Sequence, residues 1–344
     1  MEQYEPPFHI SYSMLKAVAS ISEKIGEINI RNDFEVKPHL RRHNLIQSIH
    51  SSLKIEANSL SMDQVRDVID GRPVIGEPKE IQEVQNAYAA YRKLSDINPY
   101  SLRDLKEIHG IMTKDIVQES GVFRSGEEGV FNGEQCIFMA PPARRVPGLM
   151  SDLFDWMQRE RETIHPLILS SVFHYEFVFI HPFADGNGRM ARLWHTALLY
   201  QWKSIFAYIP LESQIEKFQE EYYDVIAFCN KAGNSDAFIE FMLTQIDQIL
   251  AEILEKEEAE RSLQGKKEDR KTRGTESEYV RRLLDVMETD IPYTTRVLME
   301  KLGLKSRETF RKHYLNPAME QHLVEMTIPQ KPTSRNQRYV KLKK

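Results

Sequence analysis

The chain has 344 residues, with 46 Lys and Arg against 51 Asp and Glu, a formal net charge of −5 and 41% hydrophobic residues. That share supports a substantial core, and the length suggests about two to three domains. No run nears the roughly 18 apolar residues of a membrane span, Met1 to Ser20 lacks a signal-peptide pattern, and Cys136 and Cys229 stand in no metal spacing, so the expectation is a cytoplasmic protein with two free thiols.

Residues 1 to about 100 carry helical patterns. Leu40, Ile46, Ile49 and Leu53 form a loose apolar stripe that leads into Ser51-Ser52-Leu53-Lys54-Ile55-Glu56-Ala57-Asn58. Asn58 is expected to end the helix in the left-handed conformation. Glu56 then lies in the last turn, where the helix dipole disfavours a negative charge by about 0.3–1 kcal/mol. Read alone it is a solvated surface glutamate, but a cationic partner would explain it better. Downstream, Gly121-Val122-Phe123-Arg124 precedes a segment from Gly129 to Pro142. There Val130, Phe131, Ile137 and Phe138 flank Asn132-Gly133, a strong hairpin signal.

Leu167 to Ile180 is apolar and helix-compatible. Met190 to Trp202 is helical again, with Leu193, Trp194, Ala197, Leu198 and Trp202 near 3.6 spacing. Between them lies His181-Pro182-Phe183-Ala184-Asp185-Gly186-Asn187-Gly188-Arg189-Met190-Ala191-Arg192. This run holds a titratable base, a carboxylate for a hard cation, two glycines around an asparagine, and two arginines. Such a set suits a polyphosphate and a proton to be removed beside it. A glycine-rich loop opening a helix leaves backbone N–H groups free for an anion. His174 and His195 lose helical phase with His181 across the loop and read as core or capping histidines.

The loop resembles the signature of the Fic family (filamentation induced by cAMP), His-Pro-Phe-x-x-Gly-Asn-Gly-Arg-x-x-Arg, at every defined position. The resemblance implies a mostly α fold: a Fic helical core with a β-hairpin flap. It implies a protein adenylyltransferase that moves AMP from ATP onto a Ser, Thr or Tyr hydroxyl. His181 would be the general base and Asp185 the Mg²⁺ ligand. Gly186, Asn187 and Gly188 would cradle the phosphates, and Arg189 and Arg192 would clamp the leaving pyrophosphate. Having both glycines favours AMP transfer over the phosphoryl transfer of the related Doc toxins. Ser52 and Glu56 resemble the family's inhibitory motif, with Arg192 as the partner of Glu56, although Ala57 departs from its usual glycine. Residues 129–142 resemble the flap that lays a target segment against the site by strand addition. Tyr223 and Asn230, seven apart on one helical face beside Tyr222, match the family's adenine contacts, with core packing of Tyr223 as the rival reading.

Glu252 to Gly274 is dense in charge and reads as a solvated helix extension or linker. Residues 275–344 hold 14 Lys and Arg against 9 Asp and Glu, a net +5 in a chain of −5. Helices are expected over 279–287, 294–301 and 307–319, the last capped by Ser306, and strands over 323–328 and 337–342. Three helices and a basic hairpin resemble a winged helix-turn-helix, with Arg307, Arg311 and Lys312 placed for DNA phosphates, and protein contacts or dimer support as the rival use of such a module. The expected division is 1–100, helical with the inhibitory motif; 101–250, catalytic core; 251–274, charged linker; and 275–344, winged-helix-like. The expected partners are a hydroxyl-bearing protein on the flap, DNA on the tail and a second copy of the chain in a homodimer. Three other functions stay open: AMP removal using Glu56, a DNA-binding regulator, and a toxin of a toxin–antitoxin pair.

Overall fold

The computed structural model describes residues 4–31, 38–132, 135–273, 278–332 and 334–342. Two compact units divide the chain, Met1–Glu255 and Lys256–Lys344.

The first unit opens with α1 (Tyr12–Arg31), α2 (Pro38–Ile55), α3 (Met62–Ile69), α4 (Pro78–Tyr91) and α5 (Leu102–Met112). A hairpin of β1 (Gly129–Asn132) and β2 (Gln135–Met139) follows, then α6 (Val146–Glu160), α7 (Pro166–Ile180), α8 (Asn187–Trp202), α9 (Leu211–Lys217), α10 (Gln219–Ala232) and α11 (Asp236–Arg273). Helix α7 is the centre of the unit because it is buried on every side: Leu167 through Phe177 and Ile180 are all buried. Pro166 starts it without losing a helical bond. It pairs closely with α8, which Trp194 locks in place by donating its Nε1–H to the Pro99 carbonyl at 2.9 Å. Helix α2 packs on α4 and α9 and reaches α8. Its buried Ile46, Ile49 and Leu53 are the expected stripe, while the side chain of Leu40 lies outside the described residues.

The hairpin is antiparallel, pairing Gly129 with Met139 and Asn132 with Gln135, with a register shift between Val130 and Phe131. Gly133 of the expected turn lies outside the described residues. Over the stretch 251–274, expected as a helix extension or linker, α11 runs unbroken to Arg273, and the boundary between units falls inside it. Glu, Lys, Arg and Gln lose little rotamer freedom in a helix, so a charge-rich stretch here continues one instead of breaking it. Among the described residues, no helix is long and apolar enough to cross a membrane.

The second unit holds α12 (Glu278–Asp285), α13 (Thr295–Lys301) and the consecutive helical segments Arg307–Thr309, Phe310–Leu315 and Asn316–Glu320. Thr294 and Ser306 cap their helices, each accepting a backbone N–H at 3.3 Å. Phe310–Leu315 is a wide π-type turn. Pro317 has no N–H for a normal helical bond, and the wider turn accommodates it. Strands β3 (Val324–Met326) and β4 (Tyr339–Lys341) pair antiparallel, shorter than expected, and bridges from Thr289 and Tyr293 join β4. Val280, Leu283, Leu298, Phe310, Tyr314, Leu315 and Val324 form the core of this unit.

Candidate active site

Helix α7 ends at His181, which adopts a left-handed conformation at φ 51°. For a non-glycine residue this costs roughly 1–2 kcal/mol, a strain typical of functional positions. The His181 Nδ1 faces the Val178 carbonyl at 3.3 Å. With the proton on Nδ1, Nε2 is left as the acceptor, the form a general base requires. Burial lowers the imidazole pKa below its ordinary value and Arg124 adds to this, while the Val178 carbonyl, Glu128 and Glu56 oppose it.

The loop beyond His181 is braced from within. The Asn187 amide accepts the Phe183 N–H at 2.9 Å and donates to the Phe183 carbonyl at 2.7 Å. Its side chain is therefore a loop brace, and what Asn187 can offer an anion is its backbone N–H. Gly186 sits at φ 79° as the N-cap of α8, and a Cβ there would press on Thr113 at 2.9 Å. The first helical bond runs from Met190 N–H to the Gly186 carbonyl. The N–H groups of Asn187, Gly188 and Arg189 thus stand at the open start of the helix. Arg189 is 3% exposed and donates to Asp185 Oδ1 at 2.9 Å, with Glu83 at 3.7 Å. Its Nε and Nη1 are buried without a hydrogen-bond partner, Nη1 being the nitrogen that faces Glu83. Asp185 Oδ1 also accepts the Gly186 N–H at 2.5 Å.

Glu56 meets this loop from α2. Its Oε1 accepts from Arg192 Nη2 at 2.7 Å. Arg192 is buried, and it also donates to Ser52 Oγ at 3.1 Å and to the Ser52 carbonyl at 2.9 Å. Burial alone would lower the Arg192 pKa, but Glu56 outweighs it and the guanidinium stays firmly protonated. The carboxylate lies so close to Gly188 that a Cβ there would overlap Glu56 Oε1. Glycine at 188 is thus what admits the Glu56 carboxylate to the loop.

The helix end differs from the expected one. Ala57, not Asn58, is left-handed, at φ 66°. Asn58 N–H bonds to the Leu53 carbonyl at 3.1 Å and Ala57 N–H to the Lys54 carbonyl at 3.0 Å, a Schellman turn with alanine in the glycine place. Asn58 is instead a buried anchor that donates to the Glu80 carbonyl and to Glu83. Ala57→Gly is expected to stabilise the chain by roughly 0.5–1 kcal/mol, the left-handed penalty less glycine's extra entropy. Thermal melting of the first unit should rise by about 2 °C. No rise would mean the penalty is relieved elsewhere.

The adenine-side residues separate. Tyr223 is 47% exposed, and the charges of Glu56 and Arg192 reach its hydroxyl. Asn230 accepts the Tyr175 hydroxyl at 2.9 Å. Tyr222 is core, bonded to His174 Nε2 at 3.0 Å. His174 and His195 are both fully buried, and no group of three potential metal ligands exists among the described residues.

Sequence reasoning missed three supports. Arg124 is buried and donates to the carbonyls of His181 at 2.6 Å, Gly126 at 2.8 Å and Pro141 at 2.5 Å. It ties both feet of the hairpin to the end of α7. His109 takes the Gly121 N–H on Nδ1 at 2.9 Å, so its Nε2–H donates to the Asp185 carbonyl at 3.0 Å. Its ring stacks on Phe183, and burial lowers its pKa to about 4, which keeps it neutral. Glu83 faces Arg189 and Asn58 together. The glycine and arginine at 121 and 124 were the only local signal.

Comparison with known proteins identifies the family. The Fic/DOC family model covers residues 99–199, and the model of the C-terminal domain of filamentation-induced-by-cAMP Fic-like proteins covers residues 278–342. A crystal structure of a Fic family protein from Desulfovibrio desulfuricans G20 is 42% identical, with 99% of each chain covered and a TM-score of 0.70. The chain belongs to the Fic family. Fic-1 from C. elegans shares the Fic fold at 22% identity, with 72% of each chain covered and a TM-score of 0.57. A curated Fic relative, the protein adenylyltransferase Fic of Culex quinquefasciatus, is 30% identical over 207 residues, 57% of this chain. This chain spans 39% of the length of that relative.

Proposed function

We propose that this Fic chain transfers AMP from ATP to a hydroxyl of a target protein and is held back by its own Glu56. The observation that carries the reading is His181 Nε2, left as an acceptor at the head of a loop whose open helix start suits phosphates. Nε2 removes the proton of the attacking hydroxyl, whose oxygen forms a bond to the α-phosphorus as the bond to the pyrophosphate oxygen breaks. The N–H groups at 187–189 and the two arginines stabilise the leaving pyrophosphate. Asp185 suits Mg²⁺: its Oδ1 is oriented by Arg189 and Gly186, its other oxygen is open among the described residues, and a single carboxylate with phosphates is the usual Mg²⁺ arrangement. The ion would neutralise phosphate charge. The target segment would add to the edge of the 129–139 hairpin.

In the closed form Glu56 holds Arg192 and occupies the space above Gly188. Incubation of the chain with a lysate and ATP labelled at the α- or the γ-phosphate tests the reading. Label is expected on protein from the α position only, and γ-label transfer would reassign the site to phosphoryl transfer. Asp185→Ala should remove Mg²⁺ dependence and nearly all transfer, and a normal Mg²⁺ titration in that variant would move the metal elsewhere. AMP removal is the second reading, favoured by the charge of Glu56, which reaches the His181 imidazole and opposes in small part the lowering of its pKa by burial. Release of AMP from a modified target by the native chain, lost in Glu56→Gly, would decide for it.

A further inference from the structure

The second unit has a groove of about 1020 Å³ between the helical run 307–320 and the loop of the β3–β4 hairpin. Arg296, Arg307, Arg311, Lys312 and Arg335 line it, against Glu308 and Glu320. All five cations are exposed, and among the described residues none has an ion-pair partner. Elsewhere many exposed basic groups of this chain find carboxylates, as Arg42 does with Asp70 and Arg66 with Asp63. Five unpaired cations converging on one groove mark a site for a polyanion.

The helix is built to present them. Phe310, Tyr314, Leu315 and Ala318 face the core. Arg307, Arg311 and Lys312 therefore stand on the outer side, one turn apart. The 14 residues span about 21 Å at 1.5 Å each, enough to lie along a DNA major groove. Arg335 reaches in from the hairpin loop on the other side. Gln337, on the groove wall, is 8% exposed. Its Nε2 donates to the Arg338 carbonyl, and its Oε1 has no partner.

We propose that this groove binds duplex DNA, independently of the chemistry assigned to the first unit. The contacts are to phosphates, made by the five exposed cations. The rest of the chain is acidic: with +5 in residues 275–344, the other 274 residues carry −10. Binding is thus local to the second unit and opposed by the remainder.

The test is fluorescence anisotropy of the full chain with a labelled 30-base-pair duplex. About four neutralised phosphates give a log–log salt slope near −3.6, or about a 10²-fold loss of affinity from 50 to 200 mM salt. The triple variant Arg307→Ala, Arg311→Ala, Arg335→Ala should bind at least about tenfold more weakly with a slope near −1. Changing the same three residues to Lys should restore most of the slope. Glu308→Gln with Glu320→Gln should tighten binding several-fold, which general stickiness would not do. No duplex binding at 50 mM salt overturns the proposal, as does an unchanged slope in the triple Ala variant. Polyglutamate of equal charge competing as well as unlabelled duplex would assign the groove to acidic protein and overturn it too.

Discussion

Glu56→Gly is expected to transfer AMP at least about tenfold faster than the native chain. A gain of that size corresponds to a native site open in roughly one molecule in ten. The Glu56–Arg192 pair can sustain such a bias because Arg192 is almost wholly buried, although Glu56 is 37% exposed and partly screened by water. The variant should still fold, since Arg192 keeps both of its bonds to Ser52. Protein labelling from α-labelled ATP is the measurement. Equal labelling by variant and native chain would remove Glu56 from any inhibitory role.

His181→Ala, made in the Glu56→Gly background, is expected to lower transfer by about 10²–10⁴-fold, the usual cost of losing a general base. Calorimetry should find ATP binding nearly unchanged, because the imidazole removes a proton and holds no phosphate. The pH profile gives a second readout. The base works when neutral, and burial lowers its pKa from the ordinary 6.5. The acid limb of the activity profile should therefore be centred below pH 6.5. An acid limb centred above 6.5, or near-full transfer without the imidazole, would move the base to another residue.

Much of the site was legible because its parts are adjacent in sequence. The loop, its flanking helices and the hairpin all carry local signals: a hydrophobic period, a glycine and a turn. The Ser306 cap and the three helices of the second unit were equally local. The Glu56–Arg192 pair spans 136 positions and was reached only through family resemblance. Arg124, His109 and Glu83 act through contacts that no spacing rule reports. His109 lies 76 positions from Asp185, and Arg124 lies 57 from His181. Asn58 misled because asparagine is the better left-handed former, yet packing against Glu80 and Glu83 claims its side chain and the strain passes to Ala57. The charged stretch after Glu252 was ambiguous because composition alone does not tell an exposed helix from a linker.

Arg124 makes the hairpin an interchangeable part. Its guanidinium fastens Gly126 on one foot and Pro141 on the other to the carbonyl of His181, so the mounting lies wholly below the strands. Under the proposed function the strands between those feet meet the target, while the bonds that brace the His181 carbonyl lie outside them. Diversification of this protein's clientele would then be written in residues 129–139, with 124, 126 and 141 as the socket that stays the same.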